Sequence, residues 1–291
     1  MRLLNRSAGR LSRHRRGPLA GVLVIIAGLL LTGGIFTAVV NTTAQADETV
    51  SNTEQIAQGR DLFLVSCSFC HGQNGEGIRD EDGDFLGPPL IGVGAAAVDF
   101  QVGTGRMPMV QPGAQVPSKP ETFDDEETAA LAAYVASLGP GPAIPTEDDY
   151  SIEGLSDEER EAAITRGGQI FLTNCTACHN FEGSGGAMPH GGYAPNLGET
   201  SARHIYEAML TGPQNMPNFA NGNLSPDEKR DVIAYLYSLR EMPDYGGFGL
   251  GGLGPVPEGM AAWLLGIGLL VGFAIWIAAH TTRTTKKKVD A

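Results

Sequence analysis

Cysteine is scarce in this chain: its 291 residues hold four, and all four fall in two C-x-x-C-H motifs, so none remains for a structural disulfide. Basic residues are scarce where the chain is longest. Of the 20 Lys and Arg, Arg2, Arg6, Arg10, Arg13, Arg15, Arg16, Arg283, Lys286, Lys287 and Lys288 lie outside the stretch from Asp47 to His280. Only Asp290 is acidic outside it, so the stretch carries 10 basic against 32 acidic residues, a formal net of −22. That balance excludes nucleic acid as a partner. It leaves a positively charged docking partner, one held alongside in a membrane, or simply a solubilising acidic surface. No Ser-His-Asp set, nucleotide-binding loop or second metal cluster stands out. The acidic run Asp80-Glu81-Asp82 with Asp84 has calcium-like residues but reads as a solvated glycine-rich turn.

Long apolar runs are present, and there are two. Leu19 to Val40 is 22 residues without a charge, and Met260 to Ala279 is 20; each can cross a hydrocarbon core as a helix. Arginines precede the first and Arg283 with Lys286 to Lys288 follow the second, so the positive-inside rule puts both termini in the cytoplasm and the acidic middle outside. Trp263 and Trp276 sit near the ends of the second run, as interfacial aromatics do. The first run also reads as a cleaved signal segment, since Ala44-Gln45-Ala46 has the small-x-small form; its length favours a retained anchor.

The middle is duplicated. Ile56, Gly59, Phe63, Leu64, Cys67, Cys70 and His71 overlay Ile164, Gly167, Phe171, Leu172, Cys175, Cys178 and His179 at a constant offset of 108. Spacings of three and four predict a helix leading into each first cysteine. Each copy closes with a second predicted helix. Ser225-Pro226-Asp227-Glu228 forms a capping box before Val232, Ile233, Leu236 and Leu239; Thr122 and Asp125 suggest a weaker cap before Leu131, Tyr134, Val135 and Leu138. The organisation expected is a basic N-terminus at 1–18, a span or signal segment at 19–40, a first domain at 50–139, a Pro/Gly-rich linker at 140–153, and a second domain at 154–243. A glycine-rich tether follows at 244–259, then a span at 260–280 and a basic tail at 281–291. The tether reads as lying along the membrane or a partner.

In Cys67-Ser68-Phe69-Cys70-His71 and Cys175-Thr176-Ala177-Cys178-His179, two thiols three positions apart can add to the two vinyl groups of one porphyrin while the next imidazole reaches the iron. A lone C-x-x-C could be a redox dithiol or half a zinc site; two C-x-x-C-H copies in an exported chain read as two covalently bound haem c groups. A sixth iron ligand is expected from a downstream loop. Met107 stands 36 residues after His71 and Met216 37 after His179, each before a proline. Met109, Met188 and Met209 are nearby rivals, and His190 and His204, without counterparts in the first copy, read as surface residues.

These residues resemble class I cytochrome c: an opening Gly/Phe helix, C-x-x-C-H, a Gly-Pro-x-Leu turn at Pro88-Pro89-Leu90 and Pro195-Asn196-Leu197, a Met-Pro loop, and a closing helix with an aromatic. The second copy has Ala194 where the family has glycine. The resemblance implies that a proline carbonyl accepts a hydrogen bond from each haem-ligating histidine. Across nearly the whole chain, including Met209 to Pro217 and Ser225 to Arg230, the sequence resembles the dihaem cytochrome c subunit of the actinobacterial cytochrome bcc complex. The fold so implied is mainly α, two tandem class I cytochrome c-like domains flanked by two transmembrane helices. The function implied is relay of electrons from menaquinol oxidation, through a Rieske iron-sulfur subunit beside a cytochrome b subunit, to the copper centre of a terminal cytochrome c oxidase. Six-coordinate His/Met haems leave no vacant site for catalysis. A cytochrome subunit of a periplasmic dehydrogenase and a dihaem peroxidase are the alternatives.

Overall fold

The computed structural model describes residues 22, 24–32, 42–111, 113, 115–188, 192–243, 246 and 250–289, with the side chains of 42–51 and 281–289 left aside. The basic N-terminus, most of the rest of the first apolar run and His190 lie outside the described residues. The chain divides into two compact units, Met1–Gln55 and Ile56–Ala291. In the first, residues 24–32 are helical with exposed apolar side chains, and the Thr32 hydroxyl donates to the Gly28 carbonyl at 2.6 Å.

The second unit is built on helices, because its apolar residues recur at helical spacing and five of its helices begin on capping side chains. Helix α1 (Thr42–Ser66), which enters this unit at Ile56, runs into the short α2 (Ser68–His71), followed by β1 (Ile78–Arg79), β2 (Phe85–Gly87), α3 (Ala95–Gly103) and α4 (Asp125–Ser137). A short α5 (Glu147–Tyr150) precedes α6 (Asp157–Asn174), α7 (Thr176–His179), β3 (Gly186–Ala187), β4 (Tyr193–Ala194), α8 (Ala202–Thr211) and α9 (Pro226–Glu241). The strands form two antiparallel hairpin ladders, β1 with β2 and β3 with β4.

Two apolar cores result. Phe63, Val102, Leu131, Tyr134 and Val135 form one; Phe171, Ile205, Tyr206, Met209, Val232, Ile233 and Leu236 form the other. In each, the opening helix crosses the closing helix at a glycine. A Cβ on Gly59 would overlap the Ala130 carbonyl and one on Gly167 the Asp231 carbonyl, so only glycine lets the two backbones approach. Beside each crossing an aromatic pair packs, Phe63 with Tyr134 at 5.1 Å and Phe171 with Tyr235 at 5.5 Å between ring centroids. The repeat read from the sequence is thus repeated in contacts.

Caps decide where the helices start. Ser225 and Glu228 form the expected box on α9, and Ser156 with Glu159 forms another on α6. On α4 the cap is Asp124 paired with Glu127 rather than Thr122, because an acceptor immediately before the first turn reaches the free N–H three residues on. Lys229 is fully buried on α9, its Nζ satisfied by the Asn221 side chain at 2.9 Å and the Leu224 carbonyl at 2.5 Å. The linker is less open than its composition suggests: the Ala96 amide donates to the Pro142 carbonyl at 3.1 Å, and Tyr150 and Ile152 pack on the second core.

After α9 come α10 (Pro255–Ala262), a π-helical turn (Trp263–Ile267) and α11 (Gly268–Val289). Pro255–His280, 26 residues with an 18-residue window of mean hydropathy 2.2 and none buried, is the one stretch among the described residues long and apolar enough to cross a membrane. The glycine-rich stretch before it does not simply trail away. The Glu182 amide donates to the Gly252 carbonyl at 3.4 Å, and Gly254 lies so close to Phe181 that a Cβ would stand 2.8 Å from that ring's Cβ. At Gly252 and Gly254 the stretch packs on the loop that follows the second C-x-x-C-H motif.

Candidate functional site: two C-x-x-C-H crevices

The last turn of α1 delivers Cys67, whose amide donates to the Phe63 carbonyl at 2.8 Å; Cys175 follows α6 in the same way, to Phe171 at 2.9 Å. One turn further on, His71 and His179 end α2 and α7. The His71 Nδ1 stands 2.7 Å from the Pro88 carbonyl and the His179 Nδ1 3.1 Å from that of Pro195. A carbonyl only accepts, so Nδ1 carries the proton and Nε2 keeps its lone pair for a metal. The family-implied bond is therefore present in both copies, Ala194 notwithstanding.

The turns that supply those carbonyls are themselves held. The Gly77 amide donates to the His71 carbonyl at 2.7 Å and that of Leu90 to Gly75 at 2.7 Å; Gly185 to His179 at 3.0 Å and Leu197 to Gly183 at 2.8 Å repeat the pattern. In the second copy Arg240, on α9, also donates to the carbonyls of Leu197 and Thr200 at 2.6 and 2.7 Å. Nothing in the spacing flagged Arg240, whose partners lie some forty residues upstream.

Met107 packs on the same core as Cys67, and Met216 on the same core as Cys175. Each methionine is thus brought to the cluster that its motif borders. The rival Met209 is a core filler, 3% exposed. His204 is half-buried rather than a surface residue, with its ring edge-on to Phe100 at 6.1 Å.

Burial pushes the Cys67 thiol up to about 11 and the Cys175 thiol up to about 12, each with a smaller push from the partner cysteine. Redox dithiols need the opposite, a thiolate favoured near neutrality. Burial also holds His179 below the usual imidazole range, partly offset by the Pro195 carbonyl, so its neutral, ligating form prevails. Neutral thiols beside an imidazole with a free Nε2, and a thioether on the same core, fit a covalent haem.

The loops bearing the methionines also meet. The Gln214 side chain accepts from the Val116 amide at 3.1 Å and donates to its carbonyl at 3.2 Å. Gln115 does likewise with the backbone of Tyr193, accepting from its amide at 2.8 Å and donating to its carbonyl. Gln214 itself sits at φ 56°, an uncommon choice for a side-chain-bearing residue, in the loop that leads to Met216.

Helix pairs crossing at glycine, the C-x-x-C-H motifs and the tethered imidazoles define a c-type cytochrome. The family model for cytochrome c matches residues 56–139, and that for subunit III of cbb3-type cytochrome c oxidase matches 162–236. The "Cytochrome bc1 complex cytochrome c subunit" of Corynebacterium diphtheriae is 44% identical over 290 residues, covering 96% of this chain and 100% of that one. Its namesake in Mycobacterium tuberculosis is 43% identical over 94% of this chain and 95% of its own. The "Cbb3-type cytochrome c oxidase subunit FixP" of Bradyrhizobium diazoefficiens is 25% identical over 63% of this chain and 60% of its own. This chain belongs to the family of cytochrome c subunits of the cytochrome bc1 complex, respiratory electron-transfer proteins that carry covalent haem c.

Proposed function

We propose that this chain is the dihaem, membrane-anchored relay of a respiratory menaquinol:cytochrome c reductase. Cys67 and Cys70 hold one haem and Cys175 and Cys178 the other, with His71 and Met107, then His179 and Met216, as axial ligands. When bound, haem iron supplies one-electron chemistry. The carrying observation is the pair of Nδ1-to-proline contacts at 2.7 and 3.1 Å, which leaves each Nε2 free to ligate, fixes each ring and raises its donor strength. Thioether ligation favours a raised potential and closes the sixth position to substrates, so the chain contributes electron transfer and no catalytic site of its own. Phe63 and Phe171, both buried, help keep water out of the cores that the motifs border.

The two domains, residues 50–139 and 154–243 about a linker at 140–153, act as successive stations. The Gln214 contact with Val116, and that of Gln115 with Tyr193 on β4, support passage from the first to the second without dissociation. The donor is the Rieske subunit, held beside cytochrome b, and the acceptor is the copper centre of a terminal oxidase. Spans at 19–40 and 260–280, flanked by basic residues, place both termini in the cytoplasm and the haem domains outside. A relay fixed to the membrane needs no diffusing carrier. Quinol-driven oxygen uptake by the purified reductase–oxidase assembly is therefore expected without added soluble cytochrome c; an absolute requirement for added carrier refutes the reading.

A further inference from the structure

Helices α3 and α8 carry a polar cluster that electron transfer does not use. Asp99 on α3 is 4% exposed and Glu207 on α8 is 0% exposed. Arg203, one turn before Glu207, pairs with both: its Nη2 meets Asp99 Oδ1 and its Nε lies 3.4 Å from Glu207 Oε1. One oxygen of each carboxylate is taken in this way. The others, Asp99 Oδ2 and Glu207 Oε2, are buried with no hydrogen-bond partner. The Arg203 side chain is 39% exposed, so water screens its charge; burial and the neighbouring Asp99 carboxylate push the Glu207 carboxyl up to about 9, and without a further cation only one of the two carboxyls ionises.

His204 completes the cluster. One of its ring nitrogens and one oxygen from each carboxylate lie within 4.8 Å of one another. Gly103 backs the ring closely, since a Cβ there would stand 3.3 Å from Nε2, nearer than ordinary van der Waals contact.

We propose that Asp99, His204 and Glu207 bind a divalent transition-metal ion of the zinc class between α3 and α8. An imidazole with two carboxylates is a nitrogen–oxygen donor set suited to zinc, whereas calcium takes oxygen alone. At zinc bond lengths of about 2.0–2.2 Å, tetrahedral donors stand about 3.3–3.6 Å apart, so the ion draws together donors that now lie within 4.8 Å of one another. Arg203 holds the outer oxygens and aims the inner ones, as partners of metal ligands do. The ion balances the two carboxylates and ties α3, which contributes Val102 to the first core, to α8, which contributes Ile205 and Met209 to the second. A proton shared between the carboxyls would serve the charge but has no use for the imidazole, and the imidazole decides for the metal.

The test uses the full-length, haem-loaded protein in detergent, incubated with zinc chloride and passed over a metal-free desalting column, with zinc and iron counted together by mass spectrometry. One zinc per chain is expected, with affinity falling at least about tenfold in His204→Ala and in Asp99→Asn while haem iron is unchanged. Zinc at the level of an Asp99→Asn/His204→Ala/Glu207→Gln triple variant overturns the proposal. So does an infrared carboxylic-acid band in the zinc-treated protein that disappears in Glu207→Gln, because it identifies a bound proton instead.

Discussion

Replacing Gly167 by alanine puts a methyl group into the Asp231 carbonyl and within 2.9 Å of the Val232 amide nitrogen. Both are backbone atoms of α9, so no side chain can turn aside; α6 and α9 must separate. Alanine is worth about 1 kcal/mol over glycine in a helix interior. Overpacking costs about 1–3 kcal/mol, and here it opens a whole helix crossing, which places it at or above the top of that range. The net loss is about 2 kcal/mol, equivalent to a fall of roughly 8–16 °C in Tm for a domain of this size. Gly168 is the control: a Cβ there meets only the Tyr235 ring, at 3.1 and 3.2 Å, and a ring can tilt. Gly168→Ala should stay within about 1 kcal/mol of wild type. Thermal melting of the detergent-solubilised holoprotein, followed by circular dichroism, separates the two. If Gly167→Ala melts at or above the wild type, the close crossing is not what holds this core.

Four further outcomes are expected. Met107→Ala and Met216→Ala should each abolish the His/Met near-infrared signature of one haem only and lower that haem's potential in a redox titration; loss of both signatures in one variant contradicts the assignment. The Ser225 amide and hydroxyl donate to the Glu228 carboxylate and hold it below the ordinary carboxylate range. A depressed carboxylate stabilises above its unfolded value, and that stability is lost as pH falls through the folded one. Glu228→Gln should therefore melt lower than wild type at neutral pH and converge with it in acid. Ser225→Ala removes the cap, at about 1 kcal/mol by denaturant titration. Ending the chain before Pro255 removes the 26-residue apolar helix and should weaken retention in carbonate-washed membranes, leaving only the first apolar run to anchor it.

Features set by local spacing were legible in the sequence: the helix into each cysteine, Gly59 and Gly167 at equivalent places, and the Ser225 box. Their physics acts within a few residues or along one helix face, so the pattern carries it. The proline that meets each histidine, 17 and 16 positions on, came from the family resemblance instead. Features set by partners far along the chain were not legible. Asp99 meets Arg203 across more than a hundred positions, and no period announces it, so His204 reads as exposed although it is half-buried against Phe100. Lys229 sits in a charged run typical of a solvated face, but Asn221 and the Leu224 carbonyl draw its ammonium inside. The glycines of the tether have no side chains with which to declare contacts; a backbone hydrogen bond at Gly252 and the close approach of Gly254 to Phe181 show where that part packs. Asp124 displaced Thr122 as the α4 cap because one residue of register decides which acceptor reaches the free amides.

The most direct test of the account is the mass of the intact chain, measured for wild type and for the Cys67→Ala/Cys70→Ala and Cys175→Ala/Cys178→Ala variants. Two covalent haems on the wild type and one on each variant are predicted. A wild-type chain carrying a single haem, or a variant that keeps both, contradicts the two-station relay.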